Sequence, residues 1–302
     1  MTGRYPSPLS LLRRLGGRRQ VSCPEPGPAE VPPADRPFTI ARYDTYLGDL
    51  SPDELRALIA DLNARSDTVG CTVFRPPGEH ACVATIFAGN LERFFMVAAA
   101  RNLRCPVVYI QDPISYWYQG SPLLPDLDAL CRRVVIPETG KARALLFGQS
   151  SGAYAALAAA ARMPGATVVA CAPQTFSDAD AKGRISFVGI RALSAPEGLI
   201  DLRAHLADHR DPDATRAVVI AAGELDNPAH MHWWGDYLHM LRLIDVPGTD
   251  LFVVNANTHV LAHGRVNDYA RLLADLAAEA GAPPARRTEM VRAFLTELYG
   301  RT

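Results

Sequence analysis

The chain predicts an α/β fold: a mostly parallel, twisted sheet with helices on both faces. Three observations carry this expectation. Short apolar runs rich in Val, Ile and Ala recur along the sequence, most of them are followed by a longer segment of helical pattern, and they lack the polar alternation of a sheet with one wet face. With 302 residues, of which 48% are apolar and 21% charged, the chain is long enough to bury such a sheet in one domain.

Residues 1–37 carry many of the 24 prolines and read as a flexible tail ahead of a domain spanning 38–302. Their only apolar patch, "LSLL", is too short for the core of a signal peptide, and the basic "LSLLRRLGGRR" is read as a solvated stretch. A helix is expected to start at Ser51, where Pro52 occupies the first helical position and Glu54 closes a capping box. "GCTVF" (70–74) and "ACVATIFAG" (81–89) are strand-like, and the turn-rich "RPPGEH" between them predicts an antiparallel hairpin.

A regular series follows. "RFFMVAAARN" (93–102) is helical, "PVVYIQD" (106–112) a strand, "LPDLDALCRRV" (124–134) helical, and "RALLFGQ" (143–149) a strand. "GAYAALAAAARM" (152–163) is helical, while "ATVVACAPQ" (166–174) and "RAVVIAAGE" (216–224) are strands separated by a segment, 175–216, long enough for a small cap of one or two helices. "HWWGDYLHMLRLI" (232–244) is helical, "DLFVVNAN" (250–257) the last strand, and "RVNDYARLLADLAAEA" (265–280) the closing helix.

A formal net charge of -1 gives no reason to expect nucleic acid or an anionic membrane as partner. No run of 18 apolar residues is present, so no membrane span is expected. The six cysteines (Cys23, Cys71, Cys82, Cys105, Cys131 and Cys171) form no CxxC pair and mostly lie in apolar runs, which reads as reduced, buried thiols and a cytoplasmic setting. No cofactor is expected.

Parallel sheets bind ligands beyond the carboxyl ends of their strands, so the chemistry is sought there. "RALLFGQ" runs into Gly148-Gln149-Ser150-Ser151-Gly152, a GxSxG pattern centred on Ser150 at a strand-to-helix junction. The sharp turn needs small residues two before and two after the nucleophile; Ser151 would instead be flanked by Gln149 and Ala153, so Ser150 is the candidate. A serine hydroxyl needs a base to take its proton, and that base needs a third group to orient it. The loop after the last strand offers His259 as base, ahead of His263. The loop after the preceding strand, "AAGELDNPAH", offers Asp226 as orienting acid, with Glu224 as the alternative. An oxyanion hole would draw one N–H from Ser151 and a second from "FAGNLERF", at Asn90 or Leu91.

The elbow "GQSSG", the acid loop "GELDNP" and the terminal "NTH", in that chain order, make the segment from about 70 to 280 resemble the α/β-hydrolase-fold serine hydrolases. More narrowly, "GQSSGAYAAL", "VVACAPQTF" and the upstream "YIQDPISYWYQG" are similar to a group of bacterial hydrolase-like proteins of surface-glycan and glycosyl-transfer systems. The resemblance implies an ester or acyl-transfer role on a glycan or metabolite.

Trp117, Tyr118, Gln174, Phe176 and Trp233 follow strand ends and are candidates for the substrate pocket. His230, His232, Asp236 and His239 cluster in "HMHWWGDYLHM", and the last three share a helical face with a spacing that can ligate zinc. With no HExxH and no cysteine nearby, they read as a polar helix face, and no metal is expected. The function expected is cleavage of a carboxylic ester or thioester through an acyl-enzyme. The first alternative is acyl transfer by the same triad, and the second a non-catalytic ligand-binding protein that kept the fold.

Overall fold

The computed structural model describes residues 38–300 except 90–93, 95, 98, 113–116, 122, 176–198, 222–233 and 257. Eight strands form one sheet in the order β1-β2-β4-β3-β5-β6-β7-β8. They are β1 (Ile40–Tyr43), β2 (Cys71–Phe74), β3 (Cys82–Phe87), β4 (Val107–Ile110), β5 (Arg143–Gln149), β6 (Thr167–Cys171), β7 (Thr215–Ala221) and β8 (Thr249–Val254). All neighbouring pairs are parallel except β2 with β4. This strand order, with helices on both faces and a strand-to-helix elbow after β5, is the α/β-hydrolase fold.

The expected hairpin of 70–74 with 81–89 does not form. β4 lies between the two strands, antiparallel to β2 and parallel to β3, with Val108 facing Val73 on one side and Thr85 on the other. Every residue of β2 and β3 is buried, and strands buried on both faces gain more from central positions in a large sheet than from an isolated ribbon.

Side chains alternate between two cores. Ala84, Ile86, Leu145, Phe147 and Val169 point to one face, and Val83, Phe87, Leu146, Val168 and Ala170 to the other. The first face is covered by α1 (Pro52–Ala64), α7 (Val266–Ala278) and α8 (Pro284–Tyr299). The second is covered by α2 (Leu127–Leu130), which continues through the π-helical Cys131–Val135 into α3 (Ile136–Thr139), together with α4 (Ser151–Ala160), α5 (Leu202–Asp208) and α6 (Trp234–Leu241).

The capping box at Ser51 is present in both directions. Two elements add to the sequence expectation, the edge strand β1 and the terminal helix α8, so α7 is not the closing helix. Of the expected cap, α5 lies within the described residues, whereas 176–198 lie outside them. Five of the six cysteines are described, and all five are buried, with no disulfide among them. No helix among the described residues is long and apolar enough to cross a membrane.

The amino end of the sheet is fastened by two buried arginines. Arg216 donates to the carbonyls of Pro247 (2.9 Å) and His209 (3.2 Å), and Arg287 of α8 donates to those of Gly165 (3.1 Å) and Asp213 (2.6 Å). The carboxyl end is built differently. All six non-glycine residues with positive φ among those described (Phe94, Met96, Trp117, Tyr118, Ser150 and Ala172) follow β3, β4, β5 or β6.

Candidate active site

Ser150 sits between the last residue of β5 and the first of α4 with φ 57° and ψ -120°. An L-residue adopts that backbone only under constraint, and the constraint is visible on both sides. A Cβ at Gly148 would lie 2.2 Å from the Gly152 carbonyl group, and one at Gly152 would lie 2.2 Å from the Phe87 carbonyl oxygen. Only glycine at both positions lets the turn close against β3. The Ser150 N–H donates to the Cys171 carbonyl at 2.9 Å, and its own carbonyl accepts from Tyr154 N–H at 3.1 Å. With its backbone fixed, the Ser150 hydroxyl is aimed rather than free to swing.

His259, in the loop between β8 and α7, places Nε2 3.0 Å from Ser150 Oγ and Nδ1 2.8 Å from Asp236 Oδ2. A carboxylate can only accept, so Nδ1 carries the hydrogen and Nε2 is the lone-pair nitrogen facing the serine. The chain Asp236–His259–Ser150 is therefore complete and correctly polarised. The side chains of Asp236 and His259 are 7% and 18% exposed, so most water is excluded from the pair.

Among the described residues the carboxylate bound to His259 is Asp236, in the first turn of α6, a residue the sequence reading did not offer as the acid. Asp226 and its alternative Glu224 lie outside the described residues. Asp236 had been read as part of a polar helix face beside His239, and that face is divided between two other tasks. Asp236 serves His259, while His239 is buried at 1% exposure and accepts the Thr175 N–H on Nδ1 at 2.9 Å. The Thr175 hydroxyl in turn donates to the His239 carbonyl at 2.9 Å. Burial, with lesser contributions from Arg242 and His259, pushes the His239 imidazole down to about 3, so it is neutral and holds the loop after β6 against α6. Among the described residues no group of three His, Cys, Asp or Glu could hold a metal ion; His230 and His232 lie outside them.

Two further contacts fix the relation of serine to histidine. Gln149 is buried and its Oε1 accepts from Ala262 N–H at 2.7 Å, tying the elbow to the loop that carries His259. Gln174, fully buried beyond β6, has Oε1 3.3 Å from Ser150 Oγ and accepts the Trp117 indole N–H on the same oxygen at 3.2 Å. Its Nε2 donates to the Ala172 carbonyl at 3.2 Å.

Of the expected pocket residues, Gln174 thus lies against Ser150 and Trp117 against Gln174. Tyr118 instead turns into the core: its hydroxyl donates to the Ala88 carbonyl at 2.7 Å and its N–H to the buried Asp112 carboxylate at 2.8 Å, bracing the ends of β3 and β4 against each other. Phe176 and Trp233 lie outside the described residues. For the oxyanion hole, the Ser151 N–H stands in the first turn of α4, where helical N–H groups have no partner within the helix. Asn90 and Leu91 lie outside the described residues, directly after the buried Gly89.

No protein-family model and no curated protein sequence matches the chain. Solved structures do resemble it. An esterase domain from a Rhodothermus marinus protein is 15% identical with a TM-score of 0.42, covering 67% of this chain and 87% of that one. An S-formylglutathione hydrolase from Agrobacterium tumefaciens is 14% identical with a TM-score of 0.41, covering 65% and 84%. Est1E from Butyrivibrio proteoclasticus is 11% identical with a TM-score of 0.44, covering 68% and 90%.

Proposed function

We propose that the protein is a serine hydrolase that cleaves a carboxylic ester or thioester through a covalent acyl-enzyme. The observation that carries this reading is the continuous chain from Asp236 Oδ2 through His259 to Ser150 Oγ, with links of 2.8 and 3.0 Å at a strained elbow. Ser150 Oγ attacks the substrate carbonyl while His259 Nε2 takes its proton, and Asp236 stabilises the imidazolium that forms. The charge developing on the carbonyl oxygen is met by the Ser151 N–H and by a second amide from the Asn90–Leu91 stretch. His259 then returns the proton to the leaving alkoxide or thiolate, and a water repeats the sequence on the acyl-enzyme to release the acid.

Labelling with a fluorophosphonate probe tests the assignment. Wild type and Ser151→Ala are expected to label and Ser150→Ala not to. Equal labelling of wild type and Ser150→Ala would remove Ser150 from the mechanism, and a wild type that does not label would leave the non-catalytic ligand-binding reading in its place.

A further inference from the structure

We propose that Gln174 selects the nucleophile that resolves the acyl-enzyme, requiring one that offers a second hydrogen-bond donor next to its attacking atom, such as water or a 1,2-diol. The inference rests on the triad reading above and concerns its second half-reaction.

The amide of Gln174 cannot turn over without loss. Rotated by half a turn, its NH2 would face the Trp117 indole N–H and its oxygen would face the Ala172 carbonyl, setting donor against donor and acceptor against acceptor. Oε1 is therefore held toward Ser150 Oγ, so two acceptors converge on the reacting oxygen: His259 Nε2 at 3.0 Å and Gln174 Oε1 at 3.3 Å. In the resting protein the serine has one proton to share between them. When the acyl group is on Oγ that proton is gone, and both acceptors face whatever enters to attack.

The attacking X–H gives its hydrogen to His259 Nε2 as the X–C bond forms and the carbonyl becomes an oxyanion. Collapse breaks the C–Oγ bond, and His259 returns the proton to Oγ. Gln174 exchanges no proton in this sequence and can only be satisfied by another hydrogen. Water supplies it from its own second O–H. A 1,2-diol supplies it from the neighbouring hydroxyl, about 2.8 Å from the attacking oxygen, a hydrogen-bond length. A simple alcohol or an ether-alcohol instead sets a lone pair against the second lone pair of Oε1, the one the Trp117 N–H does not occupy, an unfavourable acceptor-to-acceptor contact in a buried site.

The experiment follows an acyl-enzyme formed from a p-nitrophenyl ester and partitioned between water, ethylene glycol and 2-methoxyethanol, which matches the glycol except that the second hydroxyl is blocked. Wild type is expected to transfer to ethylene glycol about tenfold faster per hydroxyl than to 2-methoxyethanol, the factor that one buried hydrogen bond supports. In Gln174→Leu that preference should fall to near one, and decay of the acyl-enzyme by hydrolysis, followed after the p-nitrophenol burst has formed it, should slow about tenfold. Trp117→Phe, which removes the hydrogen bond that fixes the amide, should shift both readouts the same way to a smaller degree. Equal transfer to the two alcohols by wild type overturns the proposal without any variant, as does a Gln174→Leu protein whose water rate is unchanged. If wild type forms no acyl-enzyme, the triad reading itself fails, a result the missing burst sets apart from the others.

Discussion

At the scale of residues, the proposed role of His259 as base for Ser150 requires its other nitrogen to be a donor, and Asp236 lies 2.8 Å from that nitrogen. Asp236→Asn would stabilise the wrong tautomer and should lower kcat by about three to four orders of magnitude with little change in folding; Asp226→Asn should leave kcat close to wild type. The reverse pattern in steady-state ester hydrolysis would return the acid's role to the loop after β7. His239 sets a different dependence. Its imidazole is pushed from 6.5 to about 3 by burial, so between those values the unfolded chain binds a proton that the native protein refuses. Stability is therefore expected to fall as pH drops, by about 2 kcal/mol between pH 7 and pH 5. Urea unfolding at the two pH values measures it, and His239→Asn, which keeps an acceptor for the Thr175 N–H, should flatten the dependence. The sequence pointed to Ser150 and His259, which the structure sets 3.0 Å apart, because each is marked by its immediate surroundings: two glycines around a turn, and a loop after the last strand. Asp236 was not, since a carboxylate in the first turn of a helix is also the ordinary complement to the helix dipole. Only the folded approach of α6 to the His259 loop singles it out.

At the scale of elements, the elbow is the piece whose sequence leaves least latitude. A methyl at Gly148 or Gly152 would meet backbone atoms at 2.2 Å, and backbone cannot step aside as a side chain can. Gly152→Ala is expected to cost about 3 kcal/mol or more, seen as a lower urea midpoint or a protein that fails to accumulate. Unchanged stability would mean that β3 and α4 can part without consequence. The same elements show where sequence reading stopped. β2 to β8 were visible as apolar runs, but the partner of each was not, and proximity in the chain suggested a hairpin that β4 prevents by entering between β2 and β3. β1 was missed because Ile40–Tyr43 is a short edge strand with a single buried residue. α8 was missed because charged residues crowd its sequence, and the stripe of Val291, Phe294 and Leu295 that docks it stands out only once the sheet exists to receive it.

At the scale of the whole molecule, α8 joins the last stretch of chain to the amino end of the sheet. Val291, Phe294 and Leu295 further along this helix are buried against the sheet face that α1, α7 and α8 cover, each contributing about 1.5–3 kcal/mol, and the sum is comparable with the 5–15 kcal/mol typical of an entire domain's stability. A chain ending at residue 283 is therefore expected to lose cooperative unfolding by circular dichroism; a sharp transition in that variant would show α8 to be dispensable. The bonds that Arg216 and Arg287 make at this end run to carbonyl oxygens and are sheltered from solvent, so added salt has little purchase on them. The described non-glycine residues with positive φ, by contrast, all follow β3, β4, β5 or β6, and each holds about 1–3 kcal/mol against relaxation. A molecule so divided should age from one end. On gentle heating the catalytic rim is expected to slacken and activity to decay while the far-ultraviolet spectrum still reports a native sheet, so the working lifetime of this protein is set by a few turns of chain rather than by the melting of its core.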